Sequence, residues 1–297
     1  MFNHILIAHD LRDTADLALC RATQLAKQHN ARLTILHVLD PSQSSEQHEK
    51  ARQALDRSLT QYAPAGTALR MLSGKPSEVV LQQVQETGCD LLVLGGHHQR
   101  HDFFSGTSLD RIARRCTVPL LLVARNDFAP YQRALAAIDF SLCACSALGQ
   151  AYRLLPEGAE LHALHVFEPD KGTPQQVEQQ LETQRGLIDQ LLHDESQSLP
   201  PGGPSLSHEV LQGGILRSLQ EQIKSRRGEL LVLGSHGRSA FSQALLGSLA
   251  QHFLHSDTPE RAVSYCLGAA ERLHISFAYG RAIELLEGVL AFLQGDR

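Results

Sequence analysis

Short apolar runs alternate with longer amphipathic segments along the 297-residue chain. The runs predict strands at 4–10, 33–39, 91–94 and 120–124, and again at 134–139, 161–167 and 230–233. Between the first two runs, Ala15, Ala18, Ala22 and Leu25 recur at helical spacing. Continuously apolar strands that alternate with helices are typical of parallel sheets covered on both faces. The pattern therefore predicts a doubly wound α/β fold.

The two halves of the chain repeat each other. The first strand of each half ends in aspartate, Asp10 and Asp139, and the sequence Leu-Leu-Val-Leu-Gly occurs at 91–95 and again at 230–234. Gln- and Glu-rich stretches, which we interpret as surface helices, occupy 42–62 and 171–199. With a linker expected near 126–132, the repeat predicts domains at 1–127 and 128–257, followed by a tail at 258–297.

Composition and charge exclude several classes of protein. The net charge is −5 and there is no cluster of Lys and Arg, so we expect no nucleic-acid partner. No apolar run approaches the roughly 20 residues of a membrane span, and the N-terminus has no pattern of a secretory signal. The six cysteines lie mostly within apolar patterns, as reduced core thiols do. These features predict a cytoplasmic protein.

The strongest chemical signal follows the strand at 230–233. Gly234 and Gly237 allow a tight turn and a close approach of the backbone to a ligand, and Gly247-Ser248 opens the next helical pattern. Main-chain N–H groups at a helix N-terminus attract anions, so phosphate is the expected occupant. Glycines that serve only for turns and close packing are the alternative.

Both halves resemble the universal stress protein family, whose ATP-binding members have G-x2-G-x9-G-[ST] after the fourth strand. The resemblance spans about residues 3–125 and 133–257. It implies two tandem five-stranded parallel sheets with the strand order 3-2-1-4-5. It also implies a nucleotide, which we expect to be ATP with Mg²⁺, at the carboxyl ends of the strands, in agreement with the general rule for open α/β sheets.

The resemblance also assigns residues of the second half to the nucleotide. Asp139 would lie beside the adenosine, and the backbone of Val166 would contact the adenine. The phosphates would be held by Gly234, Gly237, Gly247 and Ser248, with His236 and Arg238 in the same loop. A turn or helix-start role is the alternative for Asp139, and a solvated surface position is the alternative for Arg238.

The first half departs from this motif. His98 replaces the second glycine, and the spacing to Gly106-Thr107 is two residues shorter. A side chain at that position occupies space that a phosphate needs, so we expect a degenerate site made of Asp10, Val38, Gly95, Gly106 and Thr107. The histidines at 97, 98 and 101 suggest zinc, but no further ligand pair accompanies them, and we predict no metal site.

The C-terminal tail is a second departure from the family. Thr258-Pro259-Glu260 is a helix-start pattern, and Ala262, Tyr265, Cys266 and Ala269 follow at helical spacing. The sequence thus predicts an atypical helical tail instead of a fifth strand.

The expected function is nucleotide binding in the stress response, without catalysis. Two alternatives remain: an interaction scaffold with vestigial nucleotide sites, and a slow ATP hydrolase. No Walker lysine follows the glycines, and no residue stands at the spacing of a nucleophile or base. A homo-oligomer or a protein partner is compatible with the sequence.

Overall fold

The computed structural model describes residues 1–96, 108–124, 126–169 and 172–234, and the backbone of 264–268. In the first half, the elements are β1 (His4–Ala8), α1 (Asp13–His29), β2 (Arg32–Leu39), α2 (Ser45–Tyr62), β3 (Ala68–Ser73), α3 (Pro76–Thr87), β4 (Leu91–Gly95), α4 (Ser108–Arg115) and β5 (Leu120–Val123). In the second half, they are β6 (Arg133–Ala137), α5 (Leu142–Leu154), β7 (Glu160–Phe167), α6 (Pro174–Ser198), β8 (Ser205–Gln212), α7 (Ile215–Ser225), β9 (Leu230–Gly234) and β10 (Ser264–Gly268). The predicted strands and both polar surface helices are confirmed.

The strands form one continuous sheet in the order β3-β2-β1-β4-β5-β10-β9-β6-β7-β8. Within each half the neighbouring strands are parallel and follow the predicted order 3-2-1-4-5, counted from the first strand of that half. The two halves meet where β5 pairs antiparallel with β10. The predicted fold class is therefore confirmed, with the two five-stranded sheets joined edge to edge.

The helix predicted at the start of the tail is wrong at residues 264–268, which form β10. Tyr265 pairs with Leu231 of β9 on one side and with Leu122 of β5 on the other. Two neighbouring strands with unpaired backbone groups outweigh a local helical pattern, because a strand inserted between them satisfies the N–H and C=O groups of both. The rest of the predicted tail helix lies outside the described residues.

Apolar side chains cover both faces of the sheet. In β1, Ile5 and Ile7 belong to one buried cluster and Leu6 to the other, and all three are fully buried. Alternate residues of a strand point to opposite faces, so a strand that is buried on both sides is apolar at most of its positions. This explains the continuous apolar runs. None of the helices in the described ranges is long and apolar enough to cross a membrane.

A buried arginine fastens the linker to the first half. Arg21 of α1 is 2% exposed, donates to the main-chain oxygens of Asp127 and Ala129, and lies 4.0 Å from the ring centre of Tyr131. Hydrogen bonds and an aromatic face together compensate the burial of a guanidinium. The connection between the halves is thus packed against α1 as part of the core.

None of the five cysteines with described side chains forms a disulfide. Cys89, Cys116 and Cys145 are buried, whereas Cys20 and Cys143 are half-buried. Burial raises the pKa of the Cys89 thiol to about 11, which keeps it protonated at neutral pH. The prediction of reduced core thiols is confirmed for these three buried residues.

Candidate functional site

β1 and β6 are each followed by a turn, and the two turns have the same backbone geometry. The N–H of His9 donates to Leu36 (2.8 Å), and the N–H of Ile138 donates to Leu164 (2.9 Å). Each turn then passes through an aspartate to an apolar residue with left-handed backbone: Leu11, with φ 66°, and its counterpart in the second half, with φ 61°. The repeat seen in the sequence is therefore also a repeat of backbone geometry at the predicted ligand edge.

A histidine on the neighbouring strand donates a hydrogen bond to each turn. Nδ1 of His37 lies 2.7 Å from the main-chain oxygen of His9, and Nδ1 of His165 lies 2.7 Å from that of Ile138. A carbonyl oxygen only accepts hydrogen bonds, so Nδ1 carries the proton in both imidazoles. The interpretation of His37 and His165 as satisfied structural histidines is confirmed.

Asp139 helps to start α5. Its Oδ1 accepts from the N–H (3.2 Å) and from the hydroxyl (2.5 Å) of Ser141, and the Ser141 hydroxyl accepts in turn from the N–H of Ala144 (3.2 Å). Ser141 is thereby the N-cap of the helix. One carboxylate oxygen therefore has the turn role that was the alternative for Asp139. A nucleotide contact would use the other oxygen, Oδ2.

Asp10, in the first half, is held differently. Its Oδ1 accepts from the N–H of Arg12 (3.2 Å), and its Oδ2 lies 3.7 Å from Nε of the same arginine. The pair is exposed to solvent, so the ion pair contributes little to stability. It nevertheless places a cation beside the carboxylate oxygen that corresponds to Oδ2 of Asp139.

The glycines that end β4 and β9 lie against the first turns of α1 and α5. A Cβ on Gly95 would come within 2.5 Å of the main-chain oxygen of Thr14, and a Cβ on Gly234 within 2.6 Å of the main-chain nitrogen of Ala144. Neither backbone can move away without unwinding a helix start. Close packing is therefore one reason for both glycines. It also places Gly234 itself, at the end of β9, against the first turn of α5, which follows the Asp139 turn.

A cavity of about 550 Å³ opens at the carboxyl ends of β1, β2 and β4. Asp10, Val38 and Gly95, which were predicted to form the degenerate site, all line it. Its apolar wall is made by Leu36, Val80, Leu94 and Ile112, and its polar side by His9, Asp40, Gln47 and Lys50. The contribution of α2 was not predicted, because a Gln- and Glu-rich helix shows only an exposed pattern in the sequence.

His9 and Asp16 form a pair under this cavity that sequence reasoning also missed. His9 is 3% exposed, its Nε2 lies 3.0 Å from Oδ1 of Asp16, and its Nδ1 accepts from the N–H of Leu11 (3.1 Å). Burial lowers the pKa of His9, although the hydrogen bond to Asp16 opposes this. A neutral imidazole with a proton on Nε2 satisfies both contacts. The equivalent positions of the second half hold Ile138 and Cys145, so this pair belongs to the first half alone.

The remaining predicted site residues lie outside the described residues. These are His236, Gly237, Arg238, Gly247 and Ser248 in the second half, and His98, Gly106 and Thr107 in the first. The same holds for the histidines at 97 and 101. Within the part of the chain that the structure describes, no group of three or more His, Cys, Asp or Glu could hold a metal ion.

Two doubly wound parallel sheets, each with a glycine and an aspartate at the carboxyl edge, define a tandem α/β protein. In open sheets of this kind, ligands generally bind at that edge. The chain belongs to the universal stress protein family, whose model matches residues 1–124 and 130–264. A universal stress protein A homolog from Haemophilus influenzae is 31% identical over 144 residues, which are 43% of this chain and 99% of that protein.

Longer relatives span both halves. A universal stress protein from Mycolicibacterium smegmatis is 26% identical over 282 residues, which are 86% of this chain and 94% of that protein. The crystal structure of a universal stress protein from Archaeoglobus fulgidus matches with a TM-score of 0.64 at 18% identity, and the match covers 89% of this chain and 97% of that one. The tandem arrangement is thus shared with proteins of similar length.

Proposed function

We propose that the chain binds an adenine nucleotide, ATP with Mg²⁺, mainly in its second half, and acts as a stress-response binding protein. The observation that carries this proposal is the packing of Gly234 on the first turn of α5, beside Asp139. Because of this packing, the proposed glycine loop begins at the carboxyl edge of the sheet, next to the Asp139 turn. Oδ1 of Asp139 accepts from Ser141, and we assign the ligand contact to Oδ2. The motif of Gly234, Gly237, Gly247 and Ser248 supplies backbone N–H groups for phosphate.

Two features of the first half support a preference for the second. His98 stands at the position of Gly237, and Arg12 stands where the second half has Ser141. The guanidinium of Arg12 lies near the Asp10 carboxylate and competes with a ribose hydroxyl for it. We therefore propose that the cavity of the first half has lost the phosphate site while keeping the shape of the family's pocket.

We also propose that the protein is not an enzyme. Two histidines line the described cavity, and histidine is the side chain most often used as a general base. Both ring nitrogens of His9 already have partners, and Nδ1 of His37 is bound to the main-chain oxygen of His9. Slow ATP hydrolysis is compatible with this proposal, whereas ATP turnover above about 1 per second, the low end of ordinary enzymes, would favour an enzyme.

Isothermal titration of the full chain with Mg-ATP tests the binding proposal. We expect one nucleotide per chain, and at a hundredfold excess over Kd a stabilisation of about 2.7 kcal/mol. Gly237→Val should abolish binding, because a branched side chain at this motif position would occupy the space proposed for the phosphates. The matched control His98→Val should bind as the wild type does. Two equivalent sites, or normal binding by Gly237→Val, would contradict the proposal.

A further inference from the structure

Two bulky apolar residues occupy a backbone conformation that disfavours them. Leu11 and Phe140 follow the site aspartates of the two halves and have φ values of 66° and 61°. Left-handed backbone costs a residue with a Cβ about 1–2 kcal/mol, and glycine would avoid this cost. Both side chains are also substantially exposed, at 38% and 40%. Neither burial nor backbone preference explains why a large apolar side chain stands here.

The cavity of the first half shows where such a side chain lies. Leu11 and His37 both line it, together with Val38. The equivalent residues of the second half are Phe140, which follows Asp139 as Leu11 follows Asp10, and His165 and Val166 of β7. The shared hydrogen bond from each strand histidine to its turn supports this correspondence. In the first half, the left-handed turn therefore directs the side chain that follows the aspartate to the cavity, and Phe140 has the same turn conformation in the second half.

The ring of Phe140 packs against the imidazole of His165. Its ring centre lies 4.7 Å from that of His165, with an angle of 61° between the rings. His165 is itself fixed, because its Nδ1–H donates to the main-chain oxygen of Ile138. Edge-to-face pairs of this kind are favourable and hold both rings in a defined orientation. The next residue on β7 is Val166, the predicted adenine contact.

We propose that Phe140 is the residue on which the adenine ring stacks in the second half, and that Leu11 gives the first half no comparable preference for a planar base. The inference rests on the proposed function, whose predicted contacts did not include either residue. A purine has a flat π-face, and an aromatic ring that is already ordered binds it without loss of side-chain entropy. Phe140 thereby selects for nucleotides over other phosphate compounds.

The test exchanges the two residues in the full chain. Phe140→Leu, which copies the first half, should weaken Mg-ATP binding about tenfold, the scale of one base–aromatic stack, and leave binding of inorganic triphosphate unchanged. Phe140→Tyr keeps the ring and should bind ATP within about twofold of the wild type. The control is Leu142→Ala, which removes a 61% exposed apolar side chain next to the same turn and should leave both affinities unchanged.

The outcomes separate this inference from the proposed function. A wild type that binds ATP, with Phe140→Leu binding equally well, overturns the stacking and leaves the nucleotide proposal intact. A wild type that binds no adenine nucleotide overturns both. Should Phe140→Leu fail to fold, a nuclear Overhauser effect between adenine protons and the ring of labelled Phe140 in the wild type decides. Its presence supports stacking, and its absence in the saturated complex rules stacking out.

Discussion

His165 donates a hydrogen bond from Nδ1 to the main-chain oxygen of Ile138, 2.7 Å away, one residue before the carboxylate predicted to meet the ligand. The carbonyl is at the end of β6, where the sheet no longer provides a partner. The imidazole of His165 thus donates the hydrogen bond that a further strand residue would otherwise donate, and this bond fixes the turn. His37 and His9 have the same relationship in the first half.

Removal of this donor should loosen the turn. His165→Leu leaves the oxygen of Ile138 without its partner, and we expect a loss of about 1–3 kcal/mol in the free energy of unfolding together with weaker ATP binding. His165→Gln restores a donor and should recover part of both. Urea denaturation and calorimetry measure the two effects. Equal behaviour of the Leu and Gln variants would mean that the hydrogen bond does not matter.

The glycine at the end of β4 should tolerate no side chain. Gly95→Ala places a Cβ 2.5 Å from the main-chain oxygen of Thr14, and we expect a destabilisation of about 3 kcal/mol, at the upper end for overpacking. Gly149→Ala is the matched control. It lies inside α5 with no atom within 4 Å of the added Cβ, and should stabilise by about 0.5–1 kcal/mol. Thermal melts of the two variants should therefore shift in opposite directions.

The protein should lose stability as the solution becomes mildly acidic. Burial, helped by the charge of Arg226, lowers the pKa of His162 to about 4. Burial also lowers the pKa of His4, His9 and His29. Protonation then favours the unfolded chain. Stability should therefore be fully present above pH 6.5 and decline as the pH falls toward 4.

A variant isolates the contribution of His162. In His162→Gln, the loss of unfolding free energy between pH 7 and 4.5 should be smaller than in the wild type by about 2 kcal/mol. The control is His193→Gln at an exposed position of α6, which should leave the pH dependence unchanged. Urea titrations across this range measure the difference. Parallel curves for His162→Gln and the wild type would show that other groups cause the acid sensitivity.

Truncation should distinguish the role of β10 from that of the rest of the tail. A chain that ends at Ser256 lacks β10, so β5 and β9 lose their shared neighbour, and we expect aggregation or a changed oligomer. A chain that ends at Gly268 keeps this strand and should retain the oligomeric state of the wild type. Light scattering after size-exclusion chromatography measures both. A monodisperse 1–256 chain with the same number of subunits per particle as the wild type would contradict the prediction.

The sequence predicts those secondary-structure elements that leave a pattern in their own residues. Fully buried strands such as β1 and β4 appear as apolar runs, and the glycine after β4 marks the carboxyl edge. β3 was not located, because an edge strand alternates partly exposed residues and has no apolar run. β10 was assigned to a helix, since only its two neighbours make it a strand. In the site, His9 and Asp16 lie seven residues apart in sequence and meet only through the turn that follows β1.

The antiparallel contact between β5 and β10 has a geometric consequence. All strands of one half run together and all strands of the other run against them, so the carboxyl ends of the halves lie at opposite borders of the continuous sheet. When the strands are numbered within each half, the order across the sheet is 3-2-1-4-5-5-4-1-2-3. This symmetric order gives the chain an internal pseudo-twofold axis between β5 and β10. In a dimer of identical subunits, every amino-acid substitution would appear in both pockets at once. One polypeptide with the same architecture is free of that constraint: Arg12 lies beside the Asp10 carboxylate in one half, where the other has Ser141 beside Asp139.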